Sequence, residues 1–312
     1  MIHHANASWA DVRPGLSIIV PFLRDDPSPL LQKLADEQGS HTSQVEILLL
    51  DDGTNNPALS ARMISAVDRL PMAASLLTLT ENIGRARGRN LMASKARGEF
   101  LLFLDADMLP DRDSFLRDWL DLIARESPAV AFGGFSLEQA PSDSRYAVHR
   151  AMAAKSDCVS ATVRSTHAEK YVFTSNLLVR SDVFSQNTFD ENFTGWGWED
   201  VEWAMRVCLD HPIMHREITA THLGLDTVPQ LMEKYRQSAS NFARIATQHP
   251  TFVRGYPSYR AASAIKAMTM QKPVMQFAGW IAKSEVAPAR LRAFALRFYR
   301  AALYAEALAH EG

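Results

Sequence analysis

The sequence predicts an α/β protein built on a mostly parallel sheet with helices on both faces. Two observations carry that prediction. Short apolar runs alternate with helical patterns between residues 16 and 104, which is the rhythm of parallel strands joined by crossover helices. Polar clusters at 21–25, 51–54 and 105–107 each follow one of these runs, where such sheets bind ligands, beyond the carboxyl ends of their strands. That coincidence points to a nucleotide site. A dinucleotide fold fits badly: the first run passes into Pro21-Phe22-Leu23 without a G-x-G-x-x-G, and Gly84 and Gly88 have the wrong spacing. A phosphate-cradling P-loop is also absent.

Each element follows from its own residues. Residues 1–15 read as a loose lead-in. Leu16 to Pro21 is a buried strand, and Pro29 to Gln38 a helix closed by Gly39. Val45 to Leu50 is a second strand, Ala58 to Leu70 a helix and Ala74 to Thr80 a third strand. The segment from Glu81 to Asn90, rich in arginine, leads into a helix that stops near Gly98. Phe100 to Leu104 is the next strand, ending in Asp105-Ala106-Asp107. A helix is expected at about 111–125, a strand at Val130 to Phe135, and helical pattern at Arg145 to Lys155 within an irregular stretch, 138–170, of the kind that often forms a functional loop. Phe173 to Arg180 reads as strand, as does Ile218 to His222. Pro229 to Gln248 is helical, and 258–309 is helical again, punctuated by Pro273 and Pro288.

Composition narrows the class. Hydrophobic residues at 47% and charged residues at 22% describe a globular chain. Cys158 and Cys208 show neither a disulfide framework nor zinc-site spacing, so a reducing, cytoplasmic setting is the expectation. No signal segment or bilayer-spanning window is read. The net charge of −2 is uneven: from Arg254 to Arg300 nine cations face Glu285 alone, a local +8. Met268, Met270, Val274, Met275, Phe277, Trp280 and Ile281 share that region. It reads either as a solvated helical cap or as a peripheral contact with anionic lipid at the inner face of the plasma membrane. No nucleic-acid docking motif accompanies it, and nucleic-acid binding is not expected.

Two stretches carry the chemistry. Asp105 and Asp107, two residues apart just past a strand end, are costly to bury alone. They suit a divalent cation that holds nucleotide phosphates; the plainer reading makes Asp107 the cap of the next helix. Trp196, Trp198 and Trp203 with Glu199, Asp200 and Glu202 fall within eight residues. Gly195 and Gly197 permit a sharp turn there, and Glu199 and Asp200 then start a helix, a structural role in itself. Against that, an aromatic wall beside a carboxylate is what sugar binding needs. His222 at a strand end is either structural or part of a metal shell.

Taken together, Ser17-Ile18-Ile19-Val20-Pro21, Leu50-Asp51-Asp52-Gly53-Thr54, Asn82 to Asn90 and Leu104-Asp105-Ala106-Asp107 resemble, in order and spacing, the nucleotide-binding half of the inverting family 2 glycosyltransferases of the GT-A fold. Gly195-Trp196-Gly197-Trp198-Glu199-Asp200 is similar to the acceptor motif of the galactosyltransferase C-terminal module. The match covers about residues 16–225; Phe22-Leu23-Arg24 departs from it, where a tyrosine and an asparagine often follow the proline. The resemblance implies a GT-A domain over 16–225, its nucleotide half at 16–108 and its acceptor half at 109–225, with a helical region at 226–312. It implies Asp52 as the base-contacting acid beside Pro21 and Phe22. Arg85, Arg89, Asp105 and Ala106 fall on the nucleotide-sugar side. Asp107, Asp105 and His222 are the implied metal ligands, with Mn²⁺ or Mg²⁺ as the cation.

On the acceptor side the resemblance implies Asp200 as catalytic base, with Glu199, Trp196 and Trp198 binding the acceptor. The implied donor is a nucleotide sugar, UDP-linked by default. The implied acceptor is a saccharide or lipid-linked saccharide, in bacterial surface polysaccharide synthesis. Acids 52, 107 and 200 would then meet around one sugar diphosphate. Two rivals remain: a nucleotidyltransferase making a nucleotide sugar, which would release pyrophosphate, and a non-catalytic nucleotide- or sugar-binding module.

Overall fold

The apolar runs become strands buried on both faces, as crossover-linked parallel strands must be. In the computed structural model, which describes residues 1–37 and 42–310, eleven strands form: β1 (Ile2–Ala5), β2 (Leu16–Phe22), β3 (Val45–Asp51), β4 (Ala73–Thr78), β5 (Phe100–Leu104), β6 (Met108–Pro110), β7 (Val130–Phe132), β8 (Phe135–Ser136), β9 (Asn176–Arg180), β10 (Ile213–His215) and β11 (Ala220–His222). One sheet has the order β1-β4-β3-β2-β5-β9-β7-β10, and a smaller one the order β6-β11-β8. The centre, β4-β3-β2-β5, is parallel; β1 and β9 run antiparallel to their neighbours. The sheet is therefore mixed but mostly parallel. Residues Leu16, Ile18, Ile19, Ile47, Leu49 and Leu102 are fully buried.

Helices α1 (Ser28–Asp36), α2 (Pro57–Arg69), α3 (Arg85–Lys95) and α4 (Phe115–Glu126) connect the parallel strands and cover the sheet. The expected end of α1 at Gln38 and Gly39 lies outside the described residues. Helix α4 inserts Trp119, fully buried, into the core, a burial worth roughly 2–3 kcal/mol.

Three expectations change. The lead-in is ordered: β1 pairs with β4, and the Asn6 side chain donates to the Met72 carbonyl at 2.8 Å and accepts from the Ala74 amide at 3.1 Å. The strand expected at 130–135 breaks in two, because Gly134 turns at φ +99° and a Cβ on Gly133 would lie 2.4 Å from the Ile218 carbonyl oxygen. The sequence also gave no sign of β6 and β10, each three residues long.

The chain divides into two units that are not contiguous in sequence. The first comprises Met1–Ala140, Val159–Glu191 and Arg206–Gly224, and holds both sheets. The second comprises Pro141–Cys158, Asn192–Met205 and the chain from Leu225 onward. Residues 141–158 and 192–205 thus group with the helices that follow Leu225. The helices of that second part include one at Ala147–Ala153, α5 (Glu199–Val207, of which residues 199–205 belong to the second unit), α6 (Val228–Gln248), one at Pro257–Ala267, α7 (Gln271–Lys283) and α8 (Ala289–His310). Pro273 sits in the first turn of α7, where no amide is needed, and Pro288 immediately precedes α8. Phe242 and Tyr304 stack at 4.0 Å in its core. Among the described residues no helix is long and apolar enough to cross a membrane.

Candidate functional site

The carboxyl ends of the parallel strands carry three acids, each held differently. Asp52 follows β3 and is 7% exposed. Its Oδ1 accepts the Ile83 amide at 2.8 Å and its Oδ2 the Gly84 amide at 3.2 Å. Gly84 caps α3 with φ +89°, so Asp52 fixes the loop that launches the arginine-bearing helix. Burial raises the Asp52 pKa, with the two amides pulling against it. A Cβ on Gly53 would lie 2.5 Å from the Glu81 carbonyl carbon, which brings that loop against the end of β3. Pro21 and Phe22 end β2, in register with Leu50 and Asp51.

Asp105 points to the arginines. Its Oδ1 pairs with Arg89, which is 2% exposed, and its Oδ2 lies 3.8 Å from Arg85. Arg89 also donates to the Arg85 carbonyl at 3.3 Å, while its Nε is buried with no partner. Arg87 turns away to Glu191 at 2.9 Å. Asn90 bonds Phe189 in both directions at 3.0 Å, so part of the polar segment serves packing.

Asp107 has a different environment. A tight turn, Met108 N–H to the Asp105 carbonyl at 3.1 Å, starts β6, and β6 pairs antiparallel with β11 so that Met108 faces His222. That register brings His222 Nε2 to 3.2 Å from Asp107 Oδ2. His222 is backed by the Phe135 ring, stacked at 6.1 Å. Helix α4 starts after Ser114, so Asp107 is not its cap. Gly224 completes the arrangement: a Cβ there would lie 1.9 Å from Asp107 Oδ2 and 3.2 Å from His222 Nε2. Asp107, Ala106, Gly224, Asp25 and Asp26 line a cleft of about 190 Å³.

A divalent cation fits this donor set. The carboxylate oxygen suits Mg²⁺ or Mn²⁺, the imidazole nitrogen favours the transition metal of the two, and glycine at 224 leaves the Asp107 carboxylate room to stand beside His222. Among the described residues no three His, Cys, Asp or Glu side chains gather to hold a metal; Asp105, expected as a third ligand, is turned to Arg89. Two protein ligands with open positions match cations that are held largely by substrate phosphates and water. Gly224 escaped the sequence reading, its sole signal being a glycine two residues past the histidine.

The Trp-rich motif, Gly195 to Asp200, lies in the second unit. Gly195, Gly197 and Trp198 all have positive φ, at +74°, +86° and +78°, the last a strained value for a bulky residue. The Asn241 amide holds this turn, donating to the Thr194 and Gly197 carbonyls at 2.9 Å each. Trp198 is anchored inward: its Nε1 donates to Tyr304 Oη at 3.1 Å and its ring meets Phe242 at 5.2 Å. Trp196 lies over Tyr235 at 6.3 Å. Its other neighbour is Lys234, whose ammonium is 5.8 Å from the ring and 2.6 Å from Asp226. Glu199 and Asp200 begin α5, as the sequence suggests, and both are buried. Asp200 Oδ1 accepts the Val201 amide at 2.9 Å.

Comparison with known proteins places this geometry. The model of a family described as "Glycosyltransferase like family 2" matches residues 17–273. A mannosyltransferase of Pyrobaculum calidifontis, solved with GDP-Man and Mn²⁺, aligns over 95% of this chain and 88% of its own, with a TM-score of 0.56 and 15% identity. Staphylococcus aureus TarS 1–349, solved with UDP-GlcNAc, aligns over 95% and 91%, with a TM-score of 0.51 and 15% identity. The fold is that of the GT-A glycosyltransferases. An N-acetylglucosaminyltransferase of Rhizobium leguminosarum bv. phaseoli is 27% identical over 100 residues, 32% of this chain. The matched stretch spans under a quarter of that relative, 23% of its length.

Proposed function

The chain belongs to glycosyltransferase-like family 2, and from that premise we propose that it moves a sugar from a nucleotide-diphosphate donor, a UDP-sugar, to a hydroxyl of a saccharide or lipid-linked saccharide. The observation that carries the reading is the Asp107–His222 pair beside Gly224 in a cleft at the strand ends. Asp107 and His222 would hold the cation. When bound, a divalent cation neutralises charge on the departing diphosphate.

The chain's own residues do the rest. Pro21 and Phe22 shape the wall for the base, and Asp52 is the acid that contacts it while holding the Ile83–Gly84 loop. Asp105 orients Arg89 and Arg85, and Arg85, the more exposed of the two, offers a guanidinium fork to phosphate oxygens. Asp200 takes the proton from the acceptor hydroxyl as that oxygen attacks the anomeric carbon. Glu199 and Trp196 bind the acceptor, and Trp198 supports them from within its own helical packing. The C–O bond to the diphosphate breaks as the new glycosidic bond forms on the opposite face, so configuration inverts without an enzyme nucleophile.

Asp200→Asn tests the base. Loss of general-base catalysis is expected to lower kcat about 10²–10⁴-fold while donor affinity, measured by calorimetry, stays within twofold. A variant with full turnover would remove Asp200 from the chemistry. Released product separates the rival: a nucleoside diphosphate supports transfer, whereas pyrophosphate supports a nucleotidyltransferase.

A further inference from the structure

Helices α7 and α8 pack lengthwise as a hairpin joined by residues 284–288; one face buries Leu296, Tyr299 and Tyr304, yet a second set of large apolar side chains faces out. The residues they bury include Ala278, Gly279, Ala282, Ala293 and Ala295. The large apolar residues they expose are Phe277 (65%), Trp280 (69%), Leu291 (47%), Phe294 (58%) and Phe298 (41%). Phe277 and Trp280 stack on each other at 6.1 Å, and Phe294 and Phe298 meet edge-on at 5.0 Å. Those four rings leave on the order of 500 Å² of aromatic surface in water, a size at which a monomer's largest apolar patch is often functional. The large apolar residues expected from sequence to lie there are split by the fold: Val274, Met275 and Ile281 are half-buried against the core, while Phe294 and Phe298 join the exposed set.

Charge selects the occupant. Lys272, Lys283 and Arg290 are exposed on the same two helices, Arg297 is half-exposed, and Glu285 in the linker is the one acid between 271 and 298. Cores of protein–protein interfaces are depleted in lysine, whereas Trp and Phe flanked by Lys and Arg describe a helix lying in a lipid headgroup region. Cations near an anionic bilayer are each attracted to it.

We infer that the α7–α8 hairpin seats the protein on an anionic membrane surface, with Phe277, Trp280, Phe294 and Phe298 entering the headgroup–acyl boundary and Lys272, Lys283, Arg290 and Arg297 meeting lipid phosphates. This goes beyond the transfer reaction and stands without it, because it uses none of the residues assigned to catalysis.

The test is co-sedimentation of the full chain with vesicles of phosphatidylglycerol and phosphatidylethanolamine, against pure phosphatidylcholine. At least tenfold stronger binding to the anionic vesicles is expected, weakening as salt rises. The variant F277S/W280S/F294S/F298S should lose at least tenfold in binding with an unchanged thermal melt. The variant K272E/K283E/R290E/R297E should lose the preference for anionic lipid. The single substitutions W280S and F294S, each expected to weaken binding several-fold, serve if the fourfold variant fails to fold. Wild-type protein that ignores anionic vesicles, or single variants that bind them as well as wild type, would overturn the inference. So would a concentration-dependent dimer in sedimentation velocity that W280S dissolves, which would make this face a contact between copies of the chain.

Discussion

Gly224 has the sharpest consequence at the scale of single residues. Its missing side chain is the space in which the Asp107 carboxylate stands, 1.9 Å from where a Cβ would be. Gly224→Ala should therefore push Asp107 off His222. The expected result is at least tenfold loss of divalent-dependent donor turnover, with a thermal midpoint close to wild type. Turnover unchanged by this substitution would contradict the cation assignment. A second residue gives a pH prediction. His215, buried in the first unit, accepts from Arg164 Nε at 3.3 Å through Nδ1 and donates from Nε2 to the Ala168 carbonyl at 3.0 Å. Burial, reinforced by the Arg164 guanidinium and partly opposed by the Ala168 carbonyl, pushes its pKa from 6.5 to about 4. Between those values the unfolded chain binds the proton and the folded one does not, so stability falls as pH drops from 6.5 toward 4. The loss amounts to about 3 kcal/mol at most. Urea midpoints at pH 7 and pH 4.5 should separate for wild type and draw together for His215→Gln.

At the scale of elements, the turn at 194–198 shows how local strain is held. Three positive-φ positions fall within four residues, the one at Trp198 strained for a bulky side chain, and Asn241 in α6 satisfies two of the turn's carbonyls. Asn241→Ala should cost about 1–3 kcal/mol, read as a lower urea midpoint; an unshifted midpoint would mean the turn is held elsewhere. The same scale explains what could be read from sequence. The central strands and their helices were legible because each buries a continuous apolar run or one helical face. β1 was not, since His3 and His4 give an edge strand no apolar signature; it pairs with β4 beside the bonds that Asn6 makes to Met72 and Ala74. β6 and β10 are too short to carry any period. The carboxylates at the strand ends were legible as a group, but their pairings were not: that Asp105 faces Arg89 while Asp107 faces His222 follows from the β6–β11 register, which joins residues more than a hundred positions apart.

For the whole molecule, the uneven charge and the split into two units divide the labour. The first unit carries both sheets, the strand-end acids and the Asp107–His222 pair; the second carries the Trp-rich turn, Asp200 and the basic, aromatic hairpin. The chain belongs to a glycosyltransferase family, and the proposed reaction needs a donor whose diphosphate would meet a cation held by Asp107 and His222. The direct measurement is release of nucleoside diphosphate from a panel of nucleotide sugars with Mn²⁺ or Mg²⁺, for wild type and Asp107→Ala. The account predicts one preferred donor, turnover abolished by chelation and restored by added metal, and at least a hundredfold loss in the variant. Turnover of the best donor that is indifferent to both chelation and Asp107→Ala would contradict it.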